Sequence, residues 1–278
     1  MKTAIITGAD GGMGSEITRA VASAGYHVIM LCYTAFKGEA RRSRIILDTG
    51  NKDIEVMQID MSSLNSVNKV AEHILQKEES IDLLMNNAGT MCTQFTTTED
   101  GLEHTVAVNY VAPYLLTRKL LPLMHKGSRI VNMVSCTYAV GKITDKFFTH
   151  GKEGAFHRIP IYSNTKLALW LFTRELSERT KNLGINVNAA DPGVVSTNMI
   201  TMDMWFDPLT DILFRPFIRS PRKGASTAIH LLLDEEKHDV TGKMYASCKE
   251  RKLKEKYIYH SQSESLWNDT EKIVKDYL

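Results

Sequence analysis

Tyr162 and Lys166 stand four residues apart in Ile161-Tyr162-Ser163-Asn164-Thr165-Lys166-Leu167, a stretch that reads as a helix. Residues at i and i+4 share a helix face, so a phenol and an ammonium can point into one site. A phenol normally titrates near about 10 and is a poor base at neutral pH. A fixed cation a few ångströms away favours the phenolate and lowers that value. The pair can then shuttle a proton near neutrality. The same spacing also arises on solvated helix faces, so its meaning depends on the rest of the chain.

Thr7-Gly8-Ala9-Asp10-Gly11-Gly12-Met13-Gly14 follows an apolar strand and opens a helix. Gly8 permits a sharp exit from the strand, Gly12 lets backbone approach a pyrophosphate, and Gly14 allows close helix–sheet packing. The helix N-terminus offers free N–H groups and the positive end of its dipole. The spacing is Gly-x-x-x-Gly-x-Gly, a departure from the commoner Gly-x-Gly-x-x-Gly, and a glycine turn without a ligand is the alternative. A nucleotide cradle beside a tunable proton donor is the equipment of a nicotinamide-dependent alcohol or carbonyl enzyme.

Further polar residues fall at strand ends, where ligands gather on parallel sheets. Asn86-Asn87-Ala88-Gly89 ends the fourth strand and can hold backbone near a cofactor ribose, or form an ordinary turn. Asp60, followed by Met61, ends the third strand and can meet an adenine edge or cap a helix. Ser135 closes the fifth strand and can polarise a substrate carbonyl. Asn109 lies mid-helix among apolar residues. It either satisfies backbone in the core or orients a water for the Tyr-Lys pair. Pro192-Gly193 and Thr197 follow the sixth strand and can close on a nicotinamide amide.

These residues need a scaffold, and the chain supplies one. Thr3–Thr7, His27–Leu31, Ile54–Ile59, Ile81–Met85, Arg129–Val134 and Ile185–Ala189 read as strands, and Lys243–Ser247 as a last one. Stretches of helical period such as Val67–Gln76 and Leu102–Leu121 lie between them. Such alternation predicts βαβ units, a parallel sheet and helices on both faces. The 278 residues suffice for one large α/β domain spanning the chain.

Composition narrows the function. With 34 basic and 32 acidic residues the net charge is +2, so no strong field calls for nucleic acid. Cys32, Cys92, Cys136 and Cys248 are scattered, without metal-ligand spacing, which predicts free thiols in a reducing cytoplasm and no metal. No signal peptide is expected before the first strand, and no apolar run approaches the roughly 18 residues of a membrane span. A soluble protein is the expectation.

Taken together, Thr7-Gly8-x-x-x-Gly12-x-Gly14, Asn86-Asn87-Ala88-Gly89, Asn109, Ser135, Tyr162-x-x-x-Lys166 and Pro192-Gly193 resemble the short-chain dehydrogenase/reductase family, in that family's order. Leu31-Cys32-Tyr33, Lys37-Gly38-Glu39, Phe172-Thr173-Arg174-Glu175-Leu176, Pro192-Gly193-Val194-Val195 and Gly242-Lys243-Met244-Tyr245 look like its retinol-dehydrogenase-like branch. The likeness spans nearly the whole chain, without the N-terminal membrane anchor common in that branch. It implies a single Rossmann-type doubly wound domain. By position it implies Tyr162 as general acid/base, Lys166 lowering its pKa and gripping the nicotinamide ribose, Ser135 holding the substrate oxygen, and Asn109 anchoring a relay water. Gly8, Asp10, Gly11, Gly12, Met13, Gly14, Tyr33, Lys37, Asp60, Met61, Asn87, Ala88, Gly89, Pro192, Gly193, Val195 and Thr197 complete the implied cofactor site.

The second strand ends in Cys32-Tyr33 without the acid that NAD sites place there. The resembling branch has arginine where Tyr33 stands, and Lys37, Arg41 or Arg42 are candidates to meet a 2′-phosphate. NADP(H) is therefore expected, with NAD as the other possibility. The expected substrate is a bulky apolar alcohol or carbonyl, retinoid-, steroid- or aromatic-like. Segments 138–160 (Phe147, Phe148, Phe156) and 199–219 (Met202, Met204, Trp205, Phe206, Phe214) read as apolar flaps facing each other over Ser135 and Tyr162. A packing loop or a self-association surface is the other reading of the first, and a homo-oligomer stays possible. Reduction of an activated C=C bond and a catalytically silent dinucleotide-binding regulator are the competing functions.

Overall fold

The computed structural model describes residues 2–150, 156–195 and 219–278. Eight strands form one sheet in the order β3-β2-β1-β4-β5-β6-β7-β8. β1 (Thr3–Thr7), β2 (His27–Cys32), β3 (Ile54–Gln58), β4 (Ile81–Asn86), β5 (Met124–Met133), β6 (Asn186–Asp191) and β7 (Met244–Ala246) are parallel. The two-residue β8 (Lys249–Glu250) pairs antiparallel with β7. β1 and β2 are buried at every position, because helices cover both faces of the sheet.

One face is packed by α1 (Gly12–Ser23), α2 (Ala35–Thr49) and the helix Pro221–Leu233. The other holds α3 (Leu64–Lys77), the helical run from α4 (His104–Val106) to α5 (Ala112–Leu120), and α6 (Arg158–Arg179). The helix Pro221–Leu233 is α7; α8 (Glu255–Ile258) and α9 (Ser263–Val274) follow the sheet. The order reverses between β1 and β4, which opens a crevice at their carboxyl ends. Among the described residues no helix is long and apolar enough to cross a membrane.

Two features depart from the expected elements. Between α4 and α5, residues Ala107–Val111 form a π segment with Asn109 at its centre; one extra residue per turn re-aims that side chain. α6 is buried nearly all round, not on one stripe, because α9 covers its outer face. Trp267 stacks on Phe172 at 5.9 Å and meets Tyr114 at 5.0 Å, while the Tyr110 hydroxyl bonds Thr270 at 2.8 Å.

The first expected flap is largely a packing loop. Phe147 is buried, edge-on to Tyr110 at 5.5 Å and to Phe148 at 5.0 Å, and the Phe148 carbonyl accepts the Glu103 N–H. Phe156 packs edge-on to Phe95 at 6.2 Å. Phe147 is buried in the main core and the half-buried Phe148 and Phe156 pack against it, so the described part of this segment reads as a packing loop. The second expected flap (Met202, Met204, Trp205, Phe206 and Phe214) lies outside the described residues, as does Thr197.

Candidate active site

Gly8 turns the chain out of β1 at φ +61°, with a Cβ there meeting Ala88 Cα at 3.1 Å. A Cβ on Gly14 would lie 2.0 Å from the Gly8 carbonyl oxygen, so only glycine lets the first turn of α1 pass this close. Gly11 caps that helix without a side-chain bond, which leaves the early N–H groups to a ligand.

Thr7 and Asn87 hold the crevice open. The Thr7 hydroxyl accepts the backbone N–H groups of Asn87 and Ala88, at 3.0 and 2.9 Å. The Asn87 amide donates to the carbonyls of Thr7 (2.9 Å) and Gly8 (3.2 Å). Asn87 Oδ1 is buried with no partner of its own, an orphan acceptor at a site built for a hydrogen-bonding guest.

A cleft of about 1000 Å³ runs along these carboxyl ends, at the upper end of ordinary small-molecule sites. Twelve expected cofactor residues line it: Gly8, Asp10, Gly11, Gly12, Met13, Gly14, Tyr33, Asp60, Met61, Asn87, Ala88 and Gly89. Its glycine cradle, uncapped helix start and orphan amide oxygen fit a dinucleotide. Asp60 does not cap the following helix, whose N-cap is Ser63; its Oδ1 accepts the Ser62 N–H and hydroxyl at 2.8 and 2.7 Å, and the residue faces the cleft. Met91, Thr93, His104, Val108, Arg158 and Pro221 line it as well. No local motif marks these six, since they reach the cleft only through loop and helix packing.

Lys37, Tyr162, Lys166, Pro192, Gly193 and Val195, also expected at the cofactor, are not among the lining residues. Lys37 is exposed on the first turn of α2. Gly193 sits at φ +73° under the Arg219 guanidinium, which donates to the Pro192 carbonyl at 3.2 Å. Val195 packs on Gly224 of α7, next to Met13. Arg42 bends to the amino end of β3, donating to the Ile54 carbonyl and pairing with Glu39 at 3.0 Å. It is thus directed away from the ligand edge, which removes it as a phosphate candidate. Burial pushes the Cys32 thiol up to about 12, and Asp10, which brings a carboxylate to the end of β2, adds to that rise. The search for an acid on β2 itself misses a charge arriving from the glycine loop.

The proton-handling residues meet where β5 and β6 end. The Ser135 side chain faces the Tyr162 phenol closely enough to favour its ionised form, and Ser135 Oγ accepts the Thr137 N–H at 3.4 Å. The Lys166 ammonium is buried, 5.4 Å from the Tyr162 ring centre, and donates to the Met133 carbonyl at 2.9 Å. Burial pushes Tyr162 up to about 12, with the Ser135 side chain opposing it. Burial also pulls Lys166 down to about 8. The expected lowering of the phenol by its lysine is absent from this balance: desolvation of the phenolate dominates. At neutral pH the arrangement therefore holds a protonated phenol beside a serine hydroxyl, a proton donor and a second donor converging on one point.

Asn109 is a clamp. Its Oδ1 accepts the Thr90 N–H at 2.7 Å, and its amide donates to the Thr90 carbonyl at 2.8 Å and the Thr165 hydroxyl at 3.1 Å. Both amide hydrogens are spent on protein, which favours the core reading of this side chain over that of a water donor.

Residues 2–204 match the short chain dehydrogenase family. The chain is 35% identical to human (Homo sapiens) retinol dehydrogenase 12, over 96% of this chain and 84% of that one. It is 33% identical to retinol dehydrogenase 14 of Mus musculus, over 98% and 86%. A putative uncharacterized protein from Mycobacterium paratuberculosis superposes with a TM-score of 0.80 at 24% identity, covering 99% and 94% of the two chains. A blue fluorescent protein from a metagenomic library, in complex with NADPH, does so at 0.69 and 24%, over 88% and 95%; both show a shared fold. The chain belongs to the short-chain dehydrogenase/reductase family, in its retinol-dehydrogenase-like branch, and is an oxidoreductase of alcohol and carbonyl groups.

Proposed function

We propose that the protein interconverts the carbonyl and alcohol of a bulky apolar substrate with NADP(H). The observation that carries this is the convergence of the Ser135 and Tyr162 hydroxyls at the end of β5, on the carboxyl edge of the sheet that also forms the glycine-lined cleft. The relatives named retinol dehydrogenase support an apolar substrate, and the NADPH-bound structural neighbour supports the cofactor.

Bound NADPH supplies hydride to the carbonyl carbon. The free N–H groups at the start of α1 take the pyrophosphate, while Asn87 keeps β1 and β4 at the right separation. Ser135 donates a hydrogen bond to the substrate oxygen, and Tyr162 delivers its proton to that oxygen as negative charge develops. Lys166, anchored on the Met133 carbonyl, draws the ribose. Lys37, exposed on the first turn of α2, is the candidate to meet a 2′-phosphate near Tyr33, and Asp10 would oppose it, so the preference for NADP(H) is modest. Four scattered cysteines are consistent with a reducing cytoplasm.

Tyr162→Phe tests the proposal, since it removes only the ionisable oxygen. Cofactor binding should persist while turnover of an aromatic or retinoid aldehyde falls by more than a hundredfold. A residual rate within tenfold of the parent, about 1.4 kcal/mol in barrier, would remove Tyr162 from the chemistry.

A further inference from the structure

A second cavity, of about 580 Å³, opens on the flank of α6 and shares no lining residue with the cofactor cleft. Successive side chains on an α-helix are turned by about 100°. Ser163 and Leu167 therefore form a row beside the Tyr162–Lys166 row, facing a different way. The chain that leaves Ser135 crosses this second row at Gly141. A Cβ on Gly141 would run into the Ser163 carbonyl oxygen and lie 2.8 Å from Leu167 Cβ, so only glycine lets the crossing come this close.

Three hydrogen bonds fix the walls. The Tyr257 hydroxyl donates to the Ala139 carbonyl at 2.8 Å, the Gln262 amide to the Ile143 carbonyl at 3.0 Å, and the Lys142 N–H to Asn164 Oδ1 at 2.7 Å. They tie the turn after Ser135 to α6 on one side and to α8 and the chain beyond it on the other. A cavity formed in advance costs a ligand little ordering, and its volume is that of an ordinary small-molecule site. The floor is apolar, with Leu167 and Tyr257 buried. At the mouth Val140 and Tyr259 are 71% and 77% exposed. Two large apolar side chains left in water at one opening mark a surface with something to cover.

The charges at this opening have one sign. Lys142 and Lys256 line it, and no carboxylate does; among the described residues neither ammonium forms an ion pair. The Lys256 ammonium lies 4.8 Å from the Tyr257 ring centre. His260 completes the rim. Its Nδ1 accepts the Gln262 N–H at 3.3 Å, so the neutral ring carries its hydrogen on Nε2. Burial, with Lys256 adding to it, holds this ring below the ordinary histidine range, and it supplies an N–H donor where a third cation would be repelled. An apolar floor under uncompensated cations is complementary to one kind of molecule. We propose that this cavity binds an amphiphile with an anionic head, the carboxylate of an apolar chain. The chain lies over Leu167 between Val140 and Tyr259, and the carboxylate meets Lys142, Lys256 and His260 Nε2. The site stands apart from the proposed reaction and does not depend on it.

Calorimetric titration of the full chain, saturated with NADPH, with dodecanoate below its micelle-forming range is the test. One saturable site is expected, with dodecanol, the uncharged counterpart, bound about tenfold more weakly. Lys142→Gln combined with Lys256→Gln should weaken dodecanoate by about tenfold and leave dodecanol unchanged, whereas Tyr259→Ser should weaken both. All three side chains are exposed, so both variants should fold and keep the parent's NADPH affinity; a loss of that affinity contradicts a separate site. Absence of a saturable site overturns the proposal, as does equal binding of dodecanoate and dodecanol or an unaffected lysine variant. Dodecanoate that is displaced by an apolar aldehyde, and is bound equally by both variants and the parent, sits in the catalytic cleft and overturns the second site. Sedimentation with anionic phospholipid vesicles, lost in the lysine variant while free dodecanoate does not bind, assigns the patch to a membrane surface and overturns the cavity as a ligand site.

Discussion

Asn109 Nδ2 donates to Thr165 Oγ1 at 3.1 Å, tying the π segment to the turn of α6 that carries Lys166. The same amide grips both backbone groups of Thr90, just beyond the β4 exit. One side chain thus fixes the separation between the cofactor edge and the catalytic helix. Asn109→Leu should leave the half-buried Thr90 N–H and carbonyl without their side-chain partner, while the Thr165 hydroxyl keeps only its bond to the Tyr162 carbonyl. The expected cost is about 2 to 3 kcal/mol of stability, with a larger fall in kcat than in cofactor affinity. Denaturant titration and steady-state kinetics check both. A variant of parent stability would mean the clamp carries no energy.

Gly14 tests the cradle. The Cβ of an alanine would fall 2.0 Å from the Gly8 carbonyl oxygen, and the obstructing atom is backbone, which cannot swing aside. Gly14→Ala should weaken dinucleotide binding at least a hundredfold and lower stability by about 1 to 3 kcal/mol through overpacking. Gly25→Ala, at φ +81° with open space around it, should lower stability modestly and leave binding unchanged. Calorimetric titration with NADPH separates the two. Equal binding losses would argue against a local clash.

What the sequence made legible follows from how local each signal is. The glycine loop, Asn87 and the Tyr162–Lys166 turn are contiguous, so residue type and spacing were enough to bring them to one edge of the sheet. The π segment carries no compositional mark, because inserting one residue into a helical turn changes no residue type. The all-round burial of α6 depends on Trp267, roughly a hundred residues downstream, which stacks on Phe172. The pairing of Asp191 could not be read either, since Arg251 reaches it from just beyond a strand two residues long. Phe147 misled the reading because aromatics among glycines and charges suggest a flap, and only the fold shows the ring under Tyr110.

Lys166 should destabilise the protein in a pH-dependent way. Burial lowers its pKa to about 8, below the ordinary value near about 10.4. The unfolded chain therefore binds the proton more tightly, and folding costs most below pH 8, where the lysine is charged in both states. Stability should rise between about pH 8 and 10.5 from this group, and the penalty vanishes above that window. Lys166→Met removes the buried charge and should be more stable than the parent at pH 7 by up to about 3 kcal/mol, although inactive. Paired denaturation curves at pH 7 and pH 10 check this. An advantage of the same size at both would show that charge burial is not its origin.

Cofactor choice turns on four side chains that the fold sorts into different positions. Arg42 is held at the amino end of β3 by the Ile54 carbonyl and Glu39, while Lys37 and Arg41 are exposed on the first turns of α2, next to Tyr33. Lys37→Ala and Arg41→Ala should each weaken NADPH severalfold and leave NADH nearly unchanged, since only the 2′-phosphate meets their charge. Arg42→Ala should not alter the ratio of the two affinities. Asp10→Asn removes a carboxylate from the end of β2 and should raise NADPH affinity by about threefold to tenfold, or about 0.7 to 1.4 kcal/mol. Added salt should erode the parent's preference, because an exposed phosphate–lysine contact is screened within about 8 Å at physiological ionic strength. Fluorescence titration with both cofactors at low and high salt decides it. Tighter binding of NADH by the parent, unaffected by Lys37→Ala and weakened relative to NADPH by added salt as the repulsion from Asp10 is screened, would show that Asp10 governs the site and that the cofactor is NAD(H).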